Sequence, residues 1–506
     1  MKCPLQLIVL MTAIFALSES WQVLVVNPFA GGSHQAISLY LTNLLAKNGH
    51  QVTYLSTNIP KKIHSGVIKL DLPRATETAN KLMDESAEGF AKGIELSWSE
   101  RYEIFKEVSE FCSLFYQEPS VQRLMKSDQR FDLLINFGAT DGCGLSLGQH
   151  LQINNSVLHM PGPFLLPIQI THLGIPIYAS SHKSDKGRLA DSTPLRNSML
   201  DRAIQLIKVF VVDAINSVFF QYSIDTVAYK YVPGYTGYKN LYGTVKMIFM
   251  HYHPHPLVDT PFPMGPGVIN LGGSACDIGY NESKIPSDLR DFVDRSPGFI
   301  LILFGSHVKS LLEEEVELWV KVFSTLPYAV VWRLVGHTTT LPDNIRTSQW
   351  LPQRALLQHP KIKLFISHGG YGSKIEVTCA GVPLLFVPRF AEQFETAQQH
   401  TDMGVAEQIL MKPGETTVEE ITTKIAKTLE VHSKTMKEVS RQVLQTRVSD
   451  EQVLGYLDMA ISGYRLLPGY QPWWQYFYLD LIIVPITALL LVRFLTRKYK
   501  NNCRKL

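Results

Sequence analysis

The chain has 506 residues, 45% of them apolar, and 48 basic against 45 acidic side chains leave a formal charge of +3. That length and apolar content give enough surface to bury for two large domains rather than one, and so even a charge balance leaves no basic footprint for nucleic acid as a partner. The six cysteines, Cys3, Cys112, Cys143, Cys276, Cys379 and Cys503, form no C-x-x-C pair and no metal-ligand spacing, which excludes a recognisable structural zinc site and leaves any disulfide pairing open.

Residues 1–20 carry Lys2, an apolar run from Leu5 to Leu17 and small residues at Ala16, Ser18 and Ser20, the pattern of a secretory signal. Trp21 to Val26 is predicted as a strand, Asn27 to Ser33 as a loop, His34 to Lys47 as a helix with Ile37, Leu41, Leu44 and Leu45 on one side, Asn48-Gly49 as its cap, and Val52 to Leu55 as the next strand. This βαβ unit places His34 at a helix start on the carboxyl edge of a sheet, where open α/β folds bind ligands. A helix N-terminus disfavours imidazolium, so a ring there stays neutral, as a general base requires.

Between Leu55 and Phe131 the pattern is weak and reads as variable loops, as does the Pro/Gly/His/Ser-rich stretch 161–192. Phe131 to Asn136 is a strand followed by Phe137 and Gly138; the nearest carboxylate beyond its end is Asp141, whereas Asp132 lies at the wrong end. Asn154 and Asn281 head N-glycosylation sequons. Leu200 to Tyr222 reads as a long helix whose Asp201, Arg202, Lys208 and Asp213 make it core rather than membrane. Prolines from Pro254 to Pro266 and Gly272-Gly273 mark a stiff crossing, dividing the chain into 21–270, a linker 271–285 and a second domain 286–470. In the latter, Ser287 to Asp294 is a helix, Phe299 to Leu303 a strand closed by Gly305-Ser306, Leu311 to Phe323 a helix and Tyr328 to Arg333 a strand, an alternation that builds a parallel sheet.

The most informative stretch runs from Trp350 to Gln393. A strand, Ile362 to Ser367, enters a turn, His368 to Gly372, and a helix that the sequence opens at Ser373. Unpaired amides and the macrodipole at such a start attract phosphate. Neither a Walker pattern nor a Gly-x-Gly-x-x-Gly can be laid over it, which argues against ATP and NAD. Ser373-x-x-Glu376 also reads as a capping box. Trp350 offers an apolar platform, Gln353 a donor and an acceptor, and Glu376 a carboxylate one turn into the helix. The next strand is Val382 to Val387, followed by Glu392-Gln393.

Trp350, Pro352, Gln353, His359, Pro360, His368, Gly370, Ser373, Glu376, Gly381, Pro383, Pro388 and Gln393 together resemble the donor-binding signature of the UDP-dependent glycosyltransferases of small lipophilic molecules, in their membrane-anchored animal form. The resemblance implies an α/β fold of GT-B type, two Rossmann-like domains facing across a cleft, and a UDP-sugar as donor. It puts uracil on Trp350 and Gln353, the diphosphate on Ser306, His368, Gly370, Gly372 and Ser373, the ribose on Glu376, and the sugar on Glu392 and Gln393. His34 becomes the catalytic base, and an acid from a later strand end is expected to orient it; Asp141 is the nominee. The implied reaction moves a hexose, glucose or glucuronic acid, to a hydroxyl of a small lipophilic acceptor with inversion and without a metal cofactor. Leu303, Gly372, Glu392 and Thr396 depart from common family residues, which leaves the sugar open; Arg389 offers a bidentate partner for glucuronate, against the alternative of a solvated or ion-paired arginine. The absent acid after Asn136 motivates a second reading, a non-catalytic nucleotide-sugar or lipophile binder. A homo- or hetero-oligomer is left undecided.

Beyond Trp473-Trp474, the apolar run Leu481 to Val492 precedes Arg493, Arg497, Lys498, Lys500, Arg504 and Lys505. Extended to 476–495 it is read as a single transmembrane helix with a basic cytoplasmic tail, 496–506, giving a type I protein of the endoplasmic reticulum membrane with a lumenal body.

Overall fold

The computed structural model describes residues 20–28, 32–60, 63–80, 98–138, 141–162, 169, 172–175, 215, 218–251, 265–276, 282–305, 311–389, 392–412, 414–469 and 479–503. The signal, Asn281, Ser306 and residues 200–214 of the expected long helix lie outside them; of His34 and Glu392 the backbone alone is described. Asn154 is exposed just ahead of a strand.

Among these residues the chain forms two parallel sheets. The first comprises β1 (Gln22–Asn27), β2 (Gln51–Ser56), β3 (Val67–Asp71), β4 (Leu133–Phe137), β5 (Ser156–Met160), β6 (Val245–Met250) and β7 (Val268–Asn270), in the order β3-β2-β1-β4-β5-β6-β7. The second comprises β8 (Phe299–Leu303), β9 (Ala329–Arg333), β10 (Ile345–Ser348), β11 (Ile362–Ser367), β12 (Leu384–Phe386) and β13 (Glu407–Gln408), in the order β10-β9-β8-β11-β12-β13. Both orders reverse direction once, between β1 and β4 and between β8 and β11. A crevice opens at such a point because the crossovers on its two sides leave in opposite directions.

Nine helices matter for the site and its support: α1 (Gly32–Lys47), α2 (Trp98–Gln117), α3 (Asp141–His150), α4 (Glu313–Ser324), α5 (Gln353–Leu357), α6 (Tyr371–Ala380), α7 (Glu392–Asp402), α8 (Asp450–Ile461) and α9 (Leu479–Cys503). Strands covered on both faces must be apolar throughout, and β1 shows how. Val23 and Val25 face α1 and α8, packing with Leu41, Leu45, Val453 and Leu457, while Leu24 and Val26 face α2 and α3, packing with Phe111, Phe115 and Leu147. In the second lobe Leu301 joins Leu356 and Val377 on one face, and Ile300 and Ile302 join Val316 and Trp319 on the other. Each such fully buried aliphatic side chain contributes about 1.5–3 kcal/mol relative to exposure.

The helix α2 lies inside the region that the sequence reads as loops. Val108, Phe111, Cys112 and Phe115 are all buried, at the i, i+3, i+4, i+7 spacing of an amphipathic face. Two disulfides settle the pairing of the four body cysteines: Cys112–Cys143 pins α2 to α3, and Cys276–Cys379 pins the linker to α6. Helix α8, within the stretch assigned to the second domain, returns to seal the first sheet with Val453, Leu457 and Ala460. Tyr40 donates to Asp450 Oδ1 at 2.7 Å and Asn155 Nδ2 to Ile461 O at 2.9 Å.

The membrane expectations are overturned. Among the described residues no helix is long and apolar enough to cross a membrane. In α9 the stretch without a charge lies between Asp480 and Arg493; its 12 residues rise about 18 Å at 1.5 Å each, against a hydrocarbon core of about 30 Å. Pro485 further interrupts it. The transmembrane span at 476–495, the membrane as partner, the type I topology and the endoplasmic reticulum membrane location are therefore withdrawn.

Candidate active site

The turn after β11 is shaped by close contacts. Gly369 has φ +89°, and a Cβ there would lie 2.7 Å from Phe386 Cδ1, so a side chain is excluded by backbone angle and by space. A Cβ on Gly370 would meet the His368 ring at 2.5 Å, and one on Gly305 would meet it at 2.6 Å. His368 is therefore wedged between the ends of β8 and β11, at the point where strand order reverses. Helix α6 opens at Tyr371, two residues earlier than the sequence suggests, with Gly370 as N-cap. Ser373 is thus the third helical residue and not a cap, which removes the capping-box reading; its Oγ instead accepts from Gln353 Nε2 at 3.3 Å. Tyr371, Gly372 and Ser373 form the first turn of α6, and the amides of such a turn, with the helix dipole behind them, stabilise an anion.

Glu376 is held from below. Gln353 Nε2 donates to its Oε2 at 2.7 Å and Arg354 Nε to its Oε1 at 2.7 Å. The carboxylate keeps further lone pairs for hydroxyl donors while its rotamer is fixed. Arg354 was not singled out from the sequence; a cation directly after Gln353 at a helix start was the available sign. Trp350, just before α5, is 70% exposed. Its loop is nonetheless braced: Ser348 Oγ donates to Trp350 O at 2.8 Å, and Arg333 bridges Gln349 O, at 3.0 Å, to Gly305 O. Arg333, likewise missed, therefore ties the indole-bearing loop to the turn beside His368. His359 of the signature is structural, buried edge-on against Phe299 with Nε2 3.4 Å from Asp294.

Gln393 is buried on α7, its Oε1 accepting from Arg389 N at 3.0 Å. Arg389 turns the other way: Nη1 donates to Glu315 Oε2 at 2.9 Å, Nη2 binds Glu315 Oε1, and the guanidinium lies over the Phe304 ring. The ion-paired alternative for this arginine is the observed one.

Across from this lobe, the first sheet reverses between β1 and β4, so α1, which carries His34 in its first turn, and α3, which begins at Asp141, start at one crevice. Helix α1 touches α6 across the two lobes, bringing the two crevices together. Asp141 is fully buried. Its Oδ2 accepts from Gln169 Nε2 and Tyr242 OH, both at 2.9 Å, and its Oδ1 from Tyr238 OH at 3.1 Å. Burial pushes its carboxyl up to about 6, with the bonds from Gln169, Tyr242 and Tyr238 pulling the other way. Phe137 ends β4 edge-on to His159, 5.0 Å between centroids, and His159 Nε2 lies 2.9 Å from His251 Nε2; burial, with His251 beside it, holds His159 well below its ordinary pKa. Among the described residues no group of three His, Cys, Asp or Glu side chains could hold a metal ion.

Two Rossmann-like lobes, each with one reversal of strand order and joined where α1 touches α6, define the GT-B fold. Solved structures agree: an indoxyl-glucosylating UDP-glucosyltransferase from Polygonum tinctorium superposes with a TM-score of 0.57 at 15% identity, covering 88% of this chain and 99% of that one. The glycosyltransferase VinC in complex with DTDP gives 0.56 at 16%, covering 87% and 99%. The chain belongs to the family described as UDP-glucoronosyl and UDP-glucosyl transferase, matched over residues 22–506. A UDP-glucuronosyltransferase of Pleuronectes platessa is 30% identical over 56% of this chain, which spans 61% of that relative. UDP-glucosyltransferase 2 of Dactylopius coccus is 22% identical over 95% of this chain and 93% of its own length. By family and fold the chain is a UDP-sugar-dependent glycosyltransferase; the membrane-anchored form expected from the sequence is the part that the structure overturns.

Proposed function

We propose that the chain transfers a hexose from a UDP-sugar to a hydroxyl of a small lipophilic acceptor, with inversion at the anomeric carbon and without a metal. The observation that carries this reading is the second-lobe crevice, which brings together the first turn of α6, the wedged His368, the clamped Glu376 and the exposed Trp350. In the proposal uracil lies on Trp350 with Gln353 at its edge, and the ribose hydroxyls donate to Glu376. The diphosphate meets Ser306, His368, Gly370, Gly372 and Ser373, and the sugar meets Glu392 and Gln393.

His34, in the first turn of α1, is the proposed base that takes the acceptor O–H proton. The acceptor oxygen forms a bond to the anomeric carbon as the bond from that carbon to the β-phosphate oxygen breaks, and UDP leaves with the electron pair. The helix amides stabilise the charge that develops on that oxygen. Asp141 is proposed as the acid behind the acceptor side: at the first residue of α3, it fixes the helix that shares the crevice with His34.

The binder reading draws on one observation, that β4 ends on Phe137 rather than on a carboxylate. A single experiment separates the two. The purified protein is mixed with UDP-glucose or UDP-glucuronate and a panel of phenols, and UDP release is followed for wild type and His34→Ala. Release that needs His34 supports the transferase; UDP binding without release in any pairing supports the binder.

A further inference from the structure

We propose that the Arg389–Glu315 pair sets the donor sugar, making the site selective for an uncharged hexose over a hexuronate. The inference rests on the donor-site reading above and deepens it. Arg389 follows β12 by three residues, next to the loop that leads to Glu392 and Gln393, and its backbone N–H is bonded to the Gln393 side chain. Its guanidinium lies 4.6 Å from the centroid of Phe304, the residue directly after β8. It therefore forms part of the wall between the ends of β8 and β12, beside the turn that wedges His368.

A hexuronate carboxylate entering there needs a cation, and bidentate guanidinium is the group that suits it. Arg389 is already spent on that bond. Both Nη groups bind the Glu315 carboxylate, which also accepts from Trp319 Nε1 at 3.2 Å. The two side chains are only 17% and 12% exposed, the Glu315 carboxylate matches the guanidinium charge, and Nε is shut off from solvent. A second carboxylate would lie beside Glu315 and meet a guanidinium whose charge is already matched, and like charges at such range repel. Of the other cations described near this turn, Lys374 has its ammonium over the Tyr371 ring, 4.2 Å from the centroid, and Arg333 is bonded to Gln349 O and Gly305 O. An uncharged hexose, by contrast, brings no charge to be matched and asks only for hydrogen bonds.

The test is calorimetric, so that no acceptor need be known. UDP, UDP-glucose, UDP-galactose and UDP-glucuronate are titrated into wild type. The tighter of the two neutral sugars is expected to bind at least tenfold more tightly than UDP-glucuronate, and Glu315→Gln, which frees the guanidinium, to shrink that gap at least tenfold. A smaller wild-type gap, or a gap unmoved in a folded Glu315→Gln, overturns the inference. Should that variant fail to fold, Glu315→Asp, whose shorter arm cannot reach both Nη groups in the same way, is expected to narrow the gap; a gap unmoved there overturns the inference too. Failure of UDP itself to bind would sink the donor-site reading instead, whereas UDP binding with UDP-glucuronate preferred would sink this inference alone.

Discussion

Replacing Trp350 by alanine isolates the uracil platform from the rest of the site. The indole is already 70% exposed, so its removal takes almost nothing from the core and should change folding stability by no more than about 0.5 kcal/mol. The loop beneath it is held by the Ser348 and Arg333 side chains, which donate to the carbonyls of Trp350 and Gln349, and neither bond involves the ring. What is lost is base stacking, about 1–3 kcal/mol, which at about 1.4 kcal/mol per decade weakens UDP binding by about 5- to 150-fold. Stacking on a base remote from the reacting carbon is equal in ground and transition states, so donor KM rises by that factor and kcat stays near the wild-type value. Calorimetry with UDP and steady-state release of UDP measure the two effects separately. An unchanged Kd for UDP in a folded Trp350→Ala would take the indole out of the donor site and remove the main support for the order of contacts proposed here.

Three further outcomes follow from other residues. His34→Ala should lower kcat by about 10²–10⁴-fold while calorimetric UDP affinity stays within about twofold, because donor and base belong to different lobes. Asp141 keeps its proton more tightly in the folded chain than in the unfolded one, with a pKa of about 6 against 3.8; its stabilising effect is full below about pH 4 and is lost as pH rises through 6. That amounts to about 3 kcal/mol. Urea unfolding of Asp141→Asn should therefore lack this slope, and its stability relative to wild type should improve by about that amount between pH 4 and pH 7; a pH-independent difference would contradict the buried network. Cys276→Ser opens a loop with a sequence separation of 103 and is expected to cost about 2–5 kcal/mol, read from the urea midpoint under non-reducing conditions.

The parts of the site that were legible in the sequence are those encoded by neighbours in the chain. Strand, tight turn and helix between Ile362 and Ala380 use contiguous residues, and the spacing from Trp350 to Gln393 carries both the fold and the chemistry. What escaped was assembled from afar. The partners of Asp141 come from positions 169, 238 and 242, and Arg333 reaches Gly305 and Gln349 only because β8, β9 and β10 lie side by side. Strands such as Ser156–Met160 and Val245–Met250 are short apolar runs without alternation, since both faces are covered, and such runs give no period to read. The membrane span failed for a different reason: its length was reached by extending the apolar run past Asp480 and Arg493, where hydropathy reverses.

The return of α8 to the first sheet makes the chain's two halves poor candidates for independent exchange. A truncated amino-terminal half ending near residue 270 would leave Val25, Tyr54 and Phe249 without the cover of Val453 and Leu457, and would be expected to aggregate. A chimera that trades acceptor-side halves between relatives must therefore carry the late segment 450–461 along with the early one, as a discontinuous unit of inheritance.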